Sequence, residues 1–480
     1  MFFITREGFG ANPIAFRESD PMPSIPPETV TPAPAEDADA LSFMAANPAF
    51  LSSDDAAACL HGLLKTPQSS ELHWFILKSG EGQFFCAPRI DATVSGDEAL
   101  HRDVATVQRL VLAVTVSATE PLTIPKGFTL EASFHARPSK AKAAEEAIAE
   151  WVQRNRFFTM SDLSAVMSAR RKYSKCYLSV RNGGLISYTS TNLPFETELS
   201  PQLMKTLNGQ PRRFESLYED GAVPSSVWIL LALAAGEVSV VVPGDLWRHR
   251  GQLKASWRSD ILTAQPAIER VPIFGPICRD AKDVAAYLRS KLPASLSAYP
   301  NVGFVLKHNA SNFFVVTEPV SSHYASFDRA VLFPRDQHGN PLIPAEFRVH
   351  GIYHSIQPLP VDQSASDGGD LYQNFFSPAD LKVGLDRLSV APHQRIFAIT
   401  PDGAVLRFAK PIMPKVLALT TELAQDLEQK IISGDMSPQT YVNKVADAGT
   451  LSVLLASKTW AHVGRVTASF STDVTDAPVT

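Results

Sequence analysis

Two histidines, each followed at a similar distance by a hydroxyl residue and an aspartate, are the residues of this chain best suited to chemistry. Imidazole and carboxylate groups hold divalent metal ions, and a hydroxyl group can donate a hydrogen bond to a developing oxyanion. The two sets are His135, Thr159 and Asp162 in the first half of the chain, and His354, Ser377 and Asp380 in the second. The first question is whether either histidine holds a metal ion.

The order of these residues resembles that of the JAMM (MPN-type) metallopeptidases, in which H-x-H ends a strand and S-x-x-D begins a helix. It is most similar to the JAB-type domains found at the toxin end of bacterial Rhs-like polymorphic proteins. The resemblance implies a zinc ion held by two histidines and one aspartate, with water as the fourth ligand. It also implies a glutamate from an earlier strand as the general base and a serine that stabilises the oxyanion.

Neither set of residues completes this pattern. In the first half, Glu71 matches the base just before the strand HWFILK, but Arg137 replaces the second histidine, and its fixed positive charge repels a metal. In the second half, Ile356 replaces the second histidine and Pro300 falls at the position of the base. A shift of one residue brings in Gln357, a poor zinc ligand. We therefore expect a degenerate site in each half, with no metal and no other cofactor.

A simpler interpretation explains the same residues without any site. Thr159 with Asp162, and Ser377 with Asp380, also form the pattern of a helix N-terminus, with a hydroxyl cap and an acid three residues later. The two histidines would then be ordinary strand-end residues, held by the backbone or by the nearby acid. Arg137 would form an ion pair with Asp162 across the former metal pocket.

The elements that must position these residues repeat along the chain. The segment FILKSGEGQFF (75–85) aligns without a gap on FVLKHNASNFF (304–314), and both predict a strand, a turn and a second strand. The helix-like segments SSDDAAACLHGLL and RDAKDVAAYLRSKL precede these hairpins. Downstream, CYLSVRNGGLISY matches IFAITPDGAVLRF, and Trp247 corresponds to Trp460. The conserved order of parts indicates a tandem duplication.

The repeat and the resemblance together define the expected fold. We expect an α/β fold in which each half is a mixed sheet flanked by helices, as in JAMM domains and the related cytidine deaminases, with the two halves packed as a pseudo-dimer. The predicted boundaries are a disordered proline-rich arm (1–45), a first copy (46–258), a linker (259–271), a second copy (272–470) and a short tail (471–480).

Composition excludes several other classes of protein. The chain of 480 residues carries a net charge of only -5, which indicates no nucleic-acid binding. The apolar run Val227–Ala235 is about half the length of a membrane span and predicts a buried helix followed by a strand. The four separated cysteines are expected to be buried thiols. The N-terminus does not resemble a signal peptide, so we expect a cytoplasmic protein, with delivery by a signal-independent secretion system left open.

Three hypotheses about function remain. The leading one is a non-catalytic tandem of JAMM-like domains that binds another protein, such as a toxin, a secretion component or a host target, as an accessory or effector protein. The second is a metal-dependent peptidase or isopeptidase with an atypical site in one half. The third is a different hydrolytic enzyme that reuses the emptied pocket, with one of the two histidines as acid or base.

Overall fold

The structure is a computed structural model that describes most of the chain between residues 48 and 470. The described ranges are 48–63, 72–91, 114–116, 123–138, 141–142, 144–180, 184–203, 206–207, 210–211, 214, 217–218, 221–257, 272–292, 299–357, 368–391 and 394–470. The proline-rich arm, Glu71, the predicted linker and the tail lie outside the described residues.

The first half of the chain forms a mixed sheet of eight strands. Their order is β10-β9-β6-β5-β4-β1-β2-β3, with β4 parallel to β5, β2 parallel to β3, and the other neighbours antiparallel. The strands are β1 (Leu72–Ser79), β2 (Phe84–Asp91), β3 (Val114–Val116), β4 (Phe128–Arg137), β5 (Lys175–Val180), β6 (Leu185–Thr189), β9 (Glu237–Val242) and β10 (Gly251–Gln252). A separate small hairpin consists of β7 (Thr206–Leu207) and β8 (Gln210–Pro211).

Helices cover both faces of this sheet. One face packs against α1, where Ala56, Ala57 and Leu60 join a core with strand residues. The other face packs against α3 and α5. The predicted helix from the apolar run is α5, and β9 follows it directly, as expected. The helices are α1 (Ser53–Leu63), α2 (Ile148–Asn155), α3 (Met160–Ala169), α4 (Pro194–Leu199) and α5 (Ser225–Ala235), with a 3-10 turn at Ser200–Gln202.

The second half forms another sheet of eight strands. Seven of them follow the order β12-β11-β14-β15-β16-β17-β18, and β13 pairs with β11. The strands are β11 (Asn301–His308), β12 (Phe314–Val316), β13 (Val320–Ser321), β14 (Phe347–Ser355), β15 (Ile396–Ile399), β16 (Val405–Ala409), β17 (Thr450–Leu455) and β18 (Gly464–Val466). The helices are α6 (Ala281–Lys291), α7 (Gly369–Gln373), α8 (Pro378–Val390), α9 (Met413–Leu423), α10 (Leu427–Ile432) and α11 (Pro438–Ala448), with a 3-10 turn at Arg329–Val331.

The two sheets share one topology along seven strands, since β10-β9-β6-β5-β4-β1-β2 matches β18-β17-β16-β15-β14-β11-β12 in order. The registers agree in detail. The β1–β4 ladder shifts between Ile76 and Leu77, and the β11–β14 ladder shifts at the aligned residues Val305 and Leu306. β4 is parallel to β5 and β14 is parallel to β15. This agreement supports the duplication that the sequence predicts.

Two further predictions can be compared with the described residues. The cysteines are free thiols, with Cys176 and Cys278 buried and Cys59 and Cys86 half-buried. Within the described part of the chain, no helix is both long enough and apolar enough to cross a membrane.

Candidate functional site

The first candidate site lies where the end of β4 meets the start of α3. Side chains two residues apart on a strand point to the same face, so His135 and Arg137 project together. The helix begins with a capping box. The Asp162 backbone N–H donates to Thr159 Oγ1 at 3.2 Å, and the Thr159 backbone N–H donates to Asp162 Oδ2 at 2.7 Å. The predicted capping role is therefore present, and it aims the Asp162 carboxylate back at the strand.

Both strand residues contact this carboxylate. His135 Nδ1 lies 3.3 Å from Asp162 Oδ1, and Arg137 Nη2 donates a hydrogen bond to Asp162 Oδ2. The predicted pairing of Arg137 with Asp162 is confirmed. Burial alone would raise the pKa of the Asp162 carboxyl group, but the His135 hydrogen bond and the Arg137 charge outweigh it and hold that pKa well below its ordinary value. The Asp162 carboxylate is therefore ionised, and each of its two oxygens contacts a neighbouring polar group.

These residues do not fit a zinc ion. His135 and Asp162 supply two donors, and the Arg137 guanidinium contacts the same carboxylate. Structural and catalytic zinc sites use at least three protein ligands. Among the described residues, no group of three or more His, Cys, Asp or Glu side chains could hold a metal ion. Glu71, the matched base, lies outside the described residues.

The second candidate site has the same elements and different packing. The Asp380 backbone N–H donates to Ser377 Oγ at 3.1 Å at the start of α8, so Ser377 caps this helix as predicted. His354 Nε2 lies 4.0 Å from Asp380 Oδ2, beyond a normal hydrogen bond. The Ile356 side chain, at the position of the second histidine, is buried.

A tyrosine covers His354. The Tyr324 ring stacks on the imidazole, with the centroids 4.2 Å apart and the planes 28° apart. His354 is fully buried, and neither of its ring nitrogens has a hydrogen-bond partner among the described residues. Burial lowers its pKa, the Arg387 charge adds to the lowering, and Asp380 only partly opposes it. A neutral imidazole enclosed in this way has no access to substrate.

Sequence reasoning missed two aromatic neighbours of the histidines. Tyr324 lies between β13 and β14, outside every matched segment, so the repeat offered no signal for it. His73 packs edge-on against His135, with ring centroids 4.5 Å apart. The periodicity of β1 could have placed His73 on this face, because His73 is directly opposite His135 in the register.

Two buried tryptophans hold the segments that lead into the candidate sites. Trp247 Nε1 donates to the Arg156 carbonyl at 2.8 Å, and Trp460 Nε1 donates to the Asn374 carbonyl at 2.7 Å. Each acceptor lies three residues before the cap of α3 or α8. The two copies therefore place the capping aspartate by the same indole contact.

The halves also contact each other beside α1. The buried Asp55 carboxylate accepts hydrogen bonds from the Phe274 backbone N–H and from Ser52 Oγ, both at 2.7 Å. Arg250 of the first half forms an ion pair with Glu318 of the second at 2.5 Å. A cavity of about 820 Å³ lies next to these contacts. Burial raises the pKa of Asp55 to about 7, although both hydrogen bonds lower it.

Searches of protein-family models, of curated proteins and of solved structures found no significant match to this chain.

Proposed function

We propose that this protein is a non-catalytic tandem of degenerate JAMM-like domains that acts by binding another protein. The observation that carries the proposal is the Arg137–Asp162 contact, in which a guanidinium stands where the resemblance requires a metal and its second histidine. In this site the end of a strand still meets the start of a helix. The Arg137 guanidinium takes the place that a divalent metal ion has in the active enzymes that the site resembles.

The second half supports the same conclusion by another route. His354 is buried beneath Tyr324, and the residue at the position of the second histidine is the apolar Ile356. The two halves would thus have lost the same ligand in different ways, one through a charge and one through packing. Such a pair of domains would have no catalytic activity but would retain surfaces that can bind another protein.

The two enzymatic alternatives find less support. A peptidase with an atypical site needs a third metal ligand, and Arg137 cannot supply one. An enzyme that reuses His354 as an acid or base needs contact between that imidazole and a substrate, and the ring is fully buried. The setting of the protein, whether a bacterial toxin or a secretion system, follows from the family resemblance alone.

Metal analysis of matched variants tests the proposal. The purified wild-type protein should contain no stoichiometric zinc and bind none in a calorimetric titration. An Arg137→His variant should gain a zinc site, because it adds an imidazole on the face that already carries His135 and aims at Asp162. Arg137→Ala is the matched control, since it removes the charge without adding a donor, and it should bind far more weakly.

Stoichiometric zinc in the wild-type protein, or metal-dependent cleavage of an isopeptide substrate, would overturn the non-catalytic assignment. If Arg137→His gains no zinc site although it folds, the JAMM-like geometry of the site is wrong.

A further inference from the structure

One end of the second sheet carries a cluster of basic side chains on the face that packs against α6. Lys307 on β11 is directly opposite Arg348 on β14, and the two therefore share a face. Arg407 on β16 is opposite Phe397, whose ring joins the α6 core on this same face. The members of this basic face are Lys307, Arg348, His350, Arg395 and Arg407.

The shifted pKa values of two of these side chains show that the charges of the cluster interact with one another. Burial and the charges of the four neighbouring cations together lower the pKa of His350 to about 4. Burial and the nearby Arg407 also lower the pKa of Arg395. Within the described residues, no carboxylate lies at ion-pair distance from Lys307, Arg348 or Arg407. The positive charges of these three side chains are therefore not balanced by those parts of the chain.

The contacts that these cations do make are weak. Arg348, which is exposed, donates to Asn309 Oδ1 at 3.4 Å. The Lys307 ammonium group lies 5.4 Å from the centre of the Phe314 ring. The buried Nε atom of Arg407 has no hydrogen-bond partner among the described residues. A buried donor without an acceptor destabilises the protein, and more so when it is charged.

The first copy provides an internal comparison, because a matching cation is paired there. Lys175 matches Arg395 in the strand register, and its ammonium group forms an ion pair with Asp54 at 2.6 Å. Glu131, the residue at the register shift of β4, matches His350 on β14.

Lys78 matches Lys307 and is also basic, but other matching positions lack the charge of the second copy. Ser187 matches Arg407. Lys282 occupies the place in α6 that Asp54 occupies in α1, since each follows its helix N-cap by two residues. The carboxylates at the start of α6 are engaged elsewhere: Asp280 accepts backbone N–H groups of its own helix, and Asp283 accepts the Arg279 N–H. The scaffold of the first copy therefore folds without charges at the positions of Arg348 and Arg407.

We propose that the basic face of the second copy binds an extended acidic segment of a partner protein. The cations span four neighbouring strands, or about 14 Å at about 4.8 Å per strand. A single carboxylate or phosphate cannot reach all of them, whereas a run of aspartate or glutamate residues can. Guanidinium groups bind carboxylates in a two-point geometry, which suits the exposed Arg348 side chain.

This inference goes beyond the proposed function, because it assigns a surface and a partner chemistry that do not depend on the histidine sites. The zinc titrations test the proposed function and the peptide titrations test the basic face, so either one can be refuted without the other.

Binding of a fluorescein-labelled octaglutamate peptide, followed by fluorescence anisotropy at low and physiological salt, tests the proposal. The key variant is Arg348→Thr with Arg407→Ser, which introduces the residues that the first copy carries at those positions and should therefore fold. It should weaken binding by about tenfold or more, and wild-type affinity should fall as salt rises. The matched control is Lys78→Ala, at the first-copy position equivalent to Lys307, which should bind within about twofold of wild type.

Thermal unfolding of each variant verifies that it is folded. Three results would overturn the proposal: no binding of the peptide by the wild-type protein at low salt, equal binding by a folded double variant, or tighter binding of a single-stranded oligonucleotide with the same number of charges. The last result would identify the face as a nucleic-acid surface.

Discussion

Replacement of Arg137 by alanine should destabilise the first half of the protein. The side chains of Arg137 and Asp162 are only 13% and 8% exposed, so their ion pair is largely withdrawn from water. Breaking a buried pair by removing one partner costs about 3–5 kcal/mol. Asp162 would keep its contacts with His135 and the Thr159 backbone N–H, so we expect a loss of about 2–3 kcal/mol in the free energy of unfolding.

The loss should shrink toward acid pH. The folded-state pKa of Asp162 lies below its unfolded value of about 3.9, so its contribution to stability is present above that pH and is lost as the pH falls. Without Arg137, the folded-state pKa moves back toward the ordinary value, so the variant has less of this contribution to lose. The wild-type protein should therefore lose more stability than the variant below about pH 4, and the difference between the two proteins should narrow.

Urea unfolding, monitored by tryptophan fluorescence at several pH values, measures this effect. For a unit of about 200 residues, the expected loss corresponds to a fall in Tm of about 4–12 °C. Arg171→Ala, at an exposed arginine after α3, is the matched control and should change stability by less than about 0.5 kcal/mol. A double-mutant cycle with Asp162→Asn should give a coupling energy of about 2 kcal/mol. A neutral Arg137→Ala variant, or a coupling energy near zero, would refute the reasoning.

Two further predictions concern the other buried titratable groups. The folded-state pKa of His354 is lowered, so the wild-type protein should lose stability as the pH falls below about 6.5. His354→Phe should make this loss smaller in urea titrations. The remaining loss should come from His61 and His350, whose folded-state pKa values are also lowered. An unchanged pH dependence would contradict the burial of His354. The folded-state pKa of Asp55 is raised to about 7, so its contribution to stability should be lost as the pH rises from about 4 through 7. Asp55→Asn should remove that loss in thermal unfolding between pH 5 and pH 8, and equal pH profiles of the two proteins would show that Asp55 is not buried at the contact between halves.

The sequence predicted the regular elements well, because these depend on local patterns. The hairpin of β1 and β2 and the hairpin of β15 and β16 follow from alternating apolar residues around a turn. The caps at Thr159 and Ser377 follow from a hydroxyl group three residues before an acid. These signals span a few residues and do not depend on the rest of the fold.

The candidate sites were only partly predictable. The contact of Arg137 with Asp162 could be inferred, because a buried carboxylate requires a partner and the strand period places Arg137 beside His135. The stacking of Tyr324 on His354 could not, because Tyr324 comes from a segment that no repeat or motif identifies. The sequence showed an apolar residue two positions after His354, but it did not show what encloses that histidine.

The sequence by itself therefore determined the repeated order of helices and strands, the helix caps and the residue types at the two candidate sites. The tertiary structure decided which groups neutralise one another. Asp54 forms an ion pair with Lys175 in the first copy, whereas in the second copy Lys307, Arg348 and Arg407 have no carboxylate at ion-pair distance among the described residues. Charge balance and burial depend on distances between residues far apart in the chain, and those distances are set by packing and not by local pattern.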